Sequence, residues 1–332
     1  MKKETTKPIE VKPETHVAIK RAFFREEKVV PVKTLITIHG ETVANEGGIV
    51  TIGGLPKARK STFMFGLIAS ILTGRECFNF SSVAGDILLV DTEQTGADFN
   101  RHLDTLRHLT GKKKLPKQFN AFLFRQDSHE TIIDAIPYLL EKLKPQYLFL
   151  DSVTDMVYNV NDFEETKKFV NFLKNISAQY NVTIVTLVHL GKTNGFTLGA
   201  LGAQLDRVSQ TTLIVKKEKE TGNSTIEPLY MRSADEFKPF AIHYNKEDNK
   251  YELADVVPEK KVRFSMANFT EEQTRGNCDI IFDVEKTLTY KALVEKCKAF
   301  FGCGETYARS IVIPYCVSKK YIVNKDGNYK RF

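Results

Sequence analysis

One ten-residue run, Gly53-Gly54-Leu55-Pro56-Lys57-Ala58-Arg59-Lys60-Ser61-Thr62, constrains this chain more than any other. It meets the pattern G-x-x-x-x-G-K-[ST] at Gly54, Lys60 and Ser61, but Arg59 stands where the second glycine belongs. In such a loop the backbone, here from Gly54 through Pro56, Lys57, Ala58 and Arg59 to Thr62, cradles phosphate oxygens at a helix N-terminus. The lysine reaches the terminal phosphates and the serine hydroxyl binds Mg²⁺. Glycine serves where the chain needs an unusual φ or a close backbone approach, so Arg59 has to be accommodated. The expectation is that Pro56 stiffens the turn and that Arg59 points outward or toward phosphate. The flanks suit the motif. Ile49 to Ile52 reads as a buried strand, and Phe63 to Leu72 as a buried helix stopped by Thr73-Gly74. The alternative is a glycine-lysine turn between two core elements.

At 332 residues the chain has room for a large domain and a small one. No apolar run approaches the roughly 20 residues that span a bilayer, and no apolar segment follows the charged N-terminus, so neither a membrane protein nor a secretory signal is expected. Five cysteines without a C-x-x-C pair point to reduced thiols and a cytoplasmic location. Four of them follow residue 277, which leaves a zinc site open. The formal net charge of +7 favours a polyanionic partner without requiring one. The last 75 residues are the more basic part, with 14 Lys and Arg against 9 Asp and Glu.

Three regions are expected: a charged N-terminal arm (1–33), an α/β domain (34–257) and a small C-terminal domain (258–332). A short strand is expected at 34–38, and after the loop and its helix, strands at 86–91, 119–124, 147–151 and 182–190 alternate with helices at 99–109, 131–143 and 163–180. That alternation predicts a mostly parallel sheet with helices on both faces. From about Gln210 the segments 211–215, 225–231, 240–244 and 251–253 read as strands joined by turns, an antiparallel extension of the sheet. The tail reads as helices at 279–285, 292–301 and 307–319, with Pro314 expected to kink or shorten the last. A terminal hairpin then turns at Asp326-Gly327. Three helices closing on a hairpin is the winged-helix pattern, with the last helix as recognition helix and the hairpin as wing. Arg309, Lys319 and Lys320 lie on or after that helix, and Lys325, Lys330 and Arg331 on the wing, all placed to meet DNA. The alternative is a winged helix used for protein contacts.

Ligands of parallel α/β sheets bind beyond the carboxyl ends of the strands. The second strand ends Asp91-Thr92-Glu93, and a carboxylate there could act as general base on a water attacking a γ-phosphate. One of the two could instead merely cap the next helix. Asp151 ends an apolar strand, the arrangement in which a carboxylate holds Mg²⁺. His189 ends the fifth strand, where it could sense a γ-phosphate or be structural. A glycine-rich segment, 191–202, follows it and carries Lys192. That segment could contact DNA or be a solvated loop. Arg232 ends a strand of the extension, and is either a surface ion-pairing residue or an arginine offered to a neighbouring subunit's nucleotide.

This order of parts resembles the RecA-like ATPase core over roughly residues 35 to 255. It is most similar to the RepA-type hexameric replicative helicases of plasmids and related mobile elements. The resemblance implies ATP and Mg²⁺ as cofactors, with Lys60 and Ser61 on phosphates and metal. It further implies Glu93 rather than Asp91 as the base, Asp151 as the metal acid, His189 as sensor and Arg232 as a trans-acting finger. It also implies a homo-oligomer, a hexamer, with single-stranded DNA in the ring through loops including Lys192, while the added winged helix would recognise duplex DNA. The activity expected is an ATP-dependent DNA motor or remodeller in replication or mobilisation of a plasmid or transposon. A nucleotide-binding scaffold or winged-helix regulator with weak or no hydrolysis is the alternative. Two positions depart from the family: Arg59 in the loop, and a Lys-x-Arg pair reduced to Tyr-x-Arg at Tyr230.

Overall fold

Runs of β-branched and aromatic residues buried on both faces build the central sheet, and the functional positions sit where those runs stop. The computed structural model describes residues 12–22, 31–191, 199–256, 269–283 and 285–332. The chain divides into two units, Met1–Val257 and Pro258–Phe332.

In the first unit, β3 (Ile49–Gly54), β5 (Ile87–Asp91), β6 (Phe119–Leu123), β7 (Tyr147–Asp151), β8 (Thr183–His189) and β9 (Thr211–Lys217) run parallel. With β10 (Ser224–Met231), β11 (Phe240–Asn245) and β12 (Lys250–Ala254) added antiparallel, they form a nine-stranded sheet. Its order is β12-β11-β10-β9-β3-β8-β7-β5-β6. The mostly parallel sheet with helices on both faces and an antiparallel extension, expected from the sequence, is what this unit adopts. Register carries the functional consequence: Gly54 lies opposite His189, and Asp91 opposite Asp151.

Helices cover both faces. On one, α2 (Lys60–Thr73) and α3 (Gly96–Thr110) pack Phe63, Phe65, Leu67, Ile68, Phe99 and Leu106 against Ile52, Leu89 and Phe149. On the other, α4 (His129–Leu143), α5 (Phe163–Tyr180) and α6 (Gly199–Val208) pack Ile136, Leu140, Leu173 and Leu205 against Leu88, Leu148 and Ile184. Helix α2 is buried almost all round because a second sheet covers it. That sheet has the order β2-β1-β4, with β1 (Thr34–Ile38), β2 (Glu41–Asn45) and β4 (Phe80–Ser82) antiparallel. Of these strands the sequence suggested only β1. The others are too short and too polar at their ends to stand out. Within the expected N-terminal arm, α1 (Pro13–Ala22) is helical.

The second unit contains α7 (Glu271–Ile281), β13 (Leu288–Thr289), α8 (Tyr290–Phe301), α9 (Glu305–Tyr307), α10 (Ile313–Ser318), β14 (Ile322–Lys325) and β15 (Asn328–Arg331). Helix α7 starts eight residues before the expected Asp279, because Thr270 and Gln273 form a reciprocal capping box. Pro314 does not end the third helical segment. A π-turn over Ala308–Val312 precedes it, closed by the Ile313 amide donating to the Ala308 carbonyl, and Pro314 stands in the first turn of α10, where a missing amide is tolerated. Leu288-Thr289, outside the helices and hairpin expected from the sequence, pairs with β15 to complete the sheet β13-β15-β14. The hairpin turns through Asp326 and Gly327, both at positive φ. Cys278, Cys297, Cys303 and Cys316 are buried in this unit's apolar core, with the sulfurs of Cys278 and Cys316 3.6 Å apart. Among the described residues no group of three or more cysteine, histidine or acidic side chains could hold a metal by itself, so the zinc alternative has no support there. No helix among them is long and apolar enough to cross a membrane.

Candidate functional site

The loop leaves β3 at Gly54, where a Cβ would stand 2.9 Å from both the Lys60 side chain and the Val215 carbonyl. Only glycine fits there. Lys57 and Arg59 then take left-handed φ of 66° and 74°. Arg59 is the N-cap of α2 but offers no side-chain cap, so the first amides of the helix stay open toward the loop. Open amides at the start of a 14-residue helix attract anions.

The Arg59 side chain does not point out to solvent but turns onto the antiparallel extension. Its Nη1 donates to the Gly222 carbonyl at 2.6 Å and to Ser224 Oγ at 3.4 Å, and its guanidinium lies 5.5 Å from the centre of the Tyr251 ring. A left-handed non-glycine residue costs about 1 kcal/mol, and a charged hydrogen bond offsets that. The sequence could not disclose this, since the partners lie more than 160 residues away.

Lys60 folds back over the loop. Its Nζ donates to the Gly54 carbonyl at 3.0 Å and lies 3.2 Å from His189 Nδ1. Burial holds its pKa below the ordinary lysine range, opposed by Asp151 and Glu93. Ser61 Oγ donates to Asp151 Oδ2 at 2.7 Å. Burial, and then the charge of Asp91, push Asp151 up to about 7. Burial lowers the His189 pKa, with the Lys60 charge acting in the same direction. A neutral imidazole that accepts from Lys60 at Nδ1 carries its proton on Nε2, which stands 3.9 Å from Glu93 Oε2. Glu93 is half exposed at the mouth. One cleft of about 350 Å³ thus brings together Pro56, Lys57, Arg59, Lys60, Ser61, Thr62, Glu93, Asp151 and His189. Ala58 is buried beneath the loop and not on the cleft surface.

The cleft also holds residues that sequence reasoning missed: Gln94, Asp98, His102 and Tyr251. Asp98 and His102 sit on the first turns of α3, whose N-cap Thr95 accepts from the Asp98 amide. The His102 ring stacks on Phe65 at 5.1 Å. A signal existed for Asp98 in its capping position, but Tyr251 reaches the cleft only through the sheet order.

Three further sets of residues were expected from the sequence. Arg232 donates from its guanidinium to the Arg207 carbonyl and does not line its own chain's cleft. Lys192 falls outside the described residues. In the second unit, Arg309 pairs with Glu305 at 2.7 Å, Arg331 with Asp279 at 2.7 Å, and Lys319 with Glu271. Among the described residues Lys320, Lys325 and Lys330 have no ion-pair partner. Exposed pairs of this kind are worth only about 0–1 kcal/mol, so they can yield to a phosphate.

A family model described as AAA domain matches residues 30–195. Among solved structures, the chain is similar to a KaiC-like protein, PH0186, from the hyperthermophilic archaeon Pyrococcus horikoshii OT3. Identity is 14% and the TM-score 0.45, over 64% of this chain and 91% of that one. No curated protein matches.

Proposed function

The chain belongs to the AAA domain family, and from that premise we propose that it is a DNA-dependent ATPase whose nucleotide cleft is the one built on Lys60, Ser61, Glu93, Asp151 and His189. The nucleotide-binding ATPase fold follows from the family; the residue roles and the DNA partner are the proposal. Its main support is the convergence of five strand-end and loop residues on one cleft, with the Ser61–Asp151 contact at 2.7 Å.

The donor set fits ATP with Mg²⁺. Open amides at the start of α2 and the Lys60 ammonium suit phosphate oxygens, and Ser61 with Asp151 suits a hard cation that takes oxygen ligands. When bound, the cation supplies charge neutralisation between phosphates. The chain's own residues do the rest. Lys60 exchanges the Gly54 carbonyl for phosphate oxygen. Glu93, at the mouth, orients the attacking water and accepts its proton at a carboxylate oxygen. His189, between Lys60 and Glu93, links the phosphate end to the base. Arg232 serves the nucleotide of an adjacent copy in a homo-oligomer, a hexameric ring that passes single-stranded DNA. Lys192 belongs to the loop facing that DNA.

The second unit's helices and hairpin support a winged helix for duplex DNA, through Arg309, Lys319, Lys320, Lys325, Lys330 and Arg331. The process served is replication or mobilisation of a plasmid or transposon, in the cytoplasm. A second reading, a nucleotide-binding scaffold or regulator with slow turnover, is favoured by the tether of Arg59 to the antiparallel extension. Measuring ATP turnover with and without single- and double-stranded DNA separates the two. DNA-stimulated turnover lost in Lys60→Ala supports the motor, and DNA binding without turnover supports the scaffold.

A further inference from the structure

Asp91 is a buried acidic side chain beside this cleft that the proposed roles leave unused. It ends β5 in register with Asp151 on the adjacent parallel strand, so the two carboxyls project from the same face about one strand spacing apart. Its residue is 1% exposed. Oδ1 is engaged: it accepts from the amides of Glu93 at 3.0 Å and Gln94 at 2.8 Å. Oδ2 is buried and has no hydrogen-bond partner among the described residues. A buried carboxylate oxygen without a partner is costly, and it persists where a ligand supplies the missing donor. Its neighbour Asp151 already accepts from Ser61, so the orphan oxygen flanks the pair best suited to a hard cation.

We propose that Asp91 is the second carboxylate of the divalent-cation seat: Oδ2 accepts a hydrogen bond from a water on the hydrated Mg²⁺ held at Ser61 and Asp151, while Oδ1 holds the turn that aims Glu93. Mg²⁺ keeps several of its waters when bound, and those waters need acceptors in the protein. One residue thereby ties the cation's place to the direction of the base, which makes Asp91 a positioning residue. The proposal rests on the nucleotide reading given above.

Two substitutions separate its two oxygens. Asp91→Asn keeps an oxygen for the Glu93 and Gln94 amides but removes the second acceptor. Asp91→Ser keeps a shorter hydroxyl cap and removes the carboxylate altogether. ATP affinity of the full chain is measured by calorimetry in EDTA and across an Mg²⁺ titration, with a thermal melt as a folding check. Asp91→Asn is expected to bind ATP in EDTA as the unaltered protein does. The Mg²⁺ concentration at half effect should rise by about 10–100-fold, the range for loss of an outer-shell partner. Asp91→Ser should match it, and serves alone if the asparagine variant does not fold. An unchanged Mg²⁺ midpoint in a folded variant overturns the role of Asp91 and leaves the nucleotide reading standing. Failure of the unaltered protein to bind ATP in either condition overturns both.

Discussion

Arg59 Nη1 donates to the carbonyl of Gly222 at 2.6 Å, tying the phosphate-type loop to the turn between β9 and β10. The residue that breaks the sequence pattern is therefore a strut, held in a left-handed conformation by contacts with Gly222, Ser224 and Tyr251.

Arg59→Gly should free the loop while removing the φ strain. The lost charged hydrogen bond costs roughly 1.5–3 kcal/mol, against about 1 kcal/mol of relieved strain, so the melting temperature should fall slightly. Steady-state ATP turnover should rise several-fold. Equal or lower turnover in the variant would show that the strut does not restrain the loop.

Lys60→Ala and Glu93→Gln should fail differently. Loss of Lys60 removes the ammonium that folds over the loop, so nucleotide affinity falls along with turnover. Glu93→Gln should keep nucleotide affinity and lose about 10²–10⁴-fold in turnover, the usual contribution of a general base. Calorimetry beside a phosphate-release assay checks both. Retained turnover in Glu93→Gln would move the base elsewhere.

Metal-free protein should lose stability as pH rises from 5 to 8. Burial pushes Asp151 up to about 7 and Asp91 up to about 6, with Lys60, Ser61 and Glu93 facing the pair. Unfolded carboxyls titrate near ~4, so the folded state holds these protons more tightly. That stabilisation is complete below the unfolded pKa and disappears as pH passes 6 to 7. Each kcal/mol lost lowers the melting temperature by roughly 2–4 °C. Melts in EDTA should show the decline in the unaltered protein and a flatter profile in Asp151→Asn. The same slope in both would assign it to other groups.

Replacing Lys320, Lys325 and Lys330 together by alanine should weaken duplex binding and reduce its salt dependence by about 0.9 in log–log slope per lost phosphate contact. These three are favoured over Arg309, Lys319 and Arg331, which already sit beside acidic partners. Binding measured from low to physiological salt checks this, and an unaltered slope would make the C-terminal unit a protein-contact module.

Much of the candidate site was legible in the sequence, because strand ends announce themselves. Asp91, Asp151 and His189 each follow an apolar run, and Gly54, Lys60 and Ser61 hold the spacing their chemistry needs. The alternation of strand and helix likewise exposed the mostly parallel sheet. What stayed hidden has no local signature. Tyr251 and His102, 149 residues apart in the sequence, meet at the cleft, and among the described strands β2 and β4 pair only with β1. Helix α7 is the exception: its start at Thr270-x-x-Gln273 is a capping box, a local signature that the expected start at Asp279 passes over.

The chain's own order of residues determined that a glycine, a lysine and a serine would stand at the mouth of a parallel sheet, since periodicity and turn chemistry act over a few residues. Only tertiary structure decided that Arg59 would be a strut and that Asp91 would keep one buried oxygen unpartnered. Both depend on what another strand brings alongside: the turn near Gly222 for one, and Asp151 in register for the other. Strand order and register are set by the packing of the whole sheet, and no local pattern encodes them.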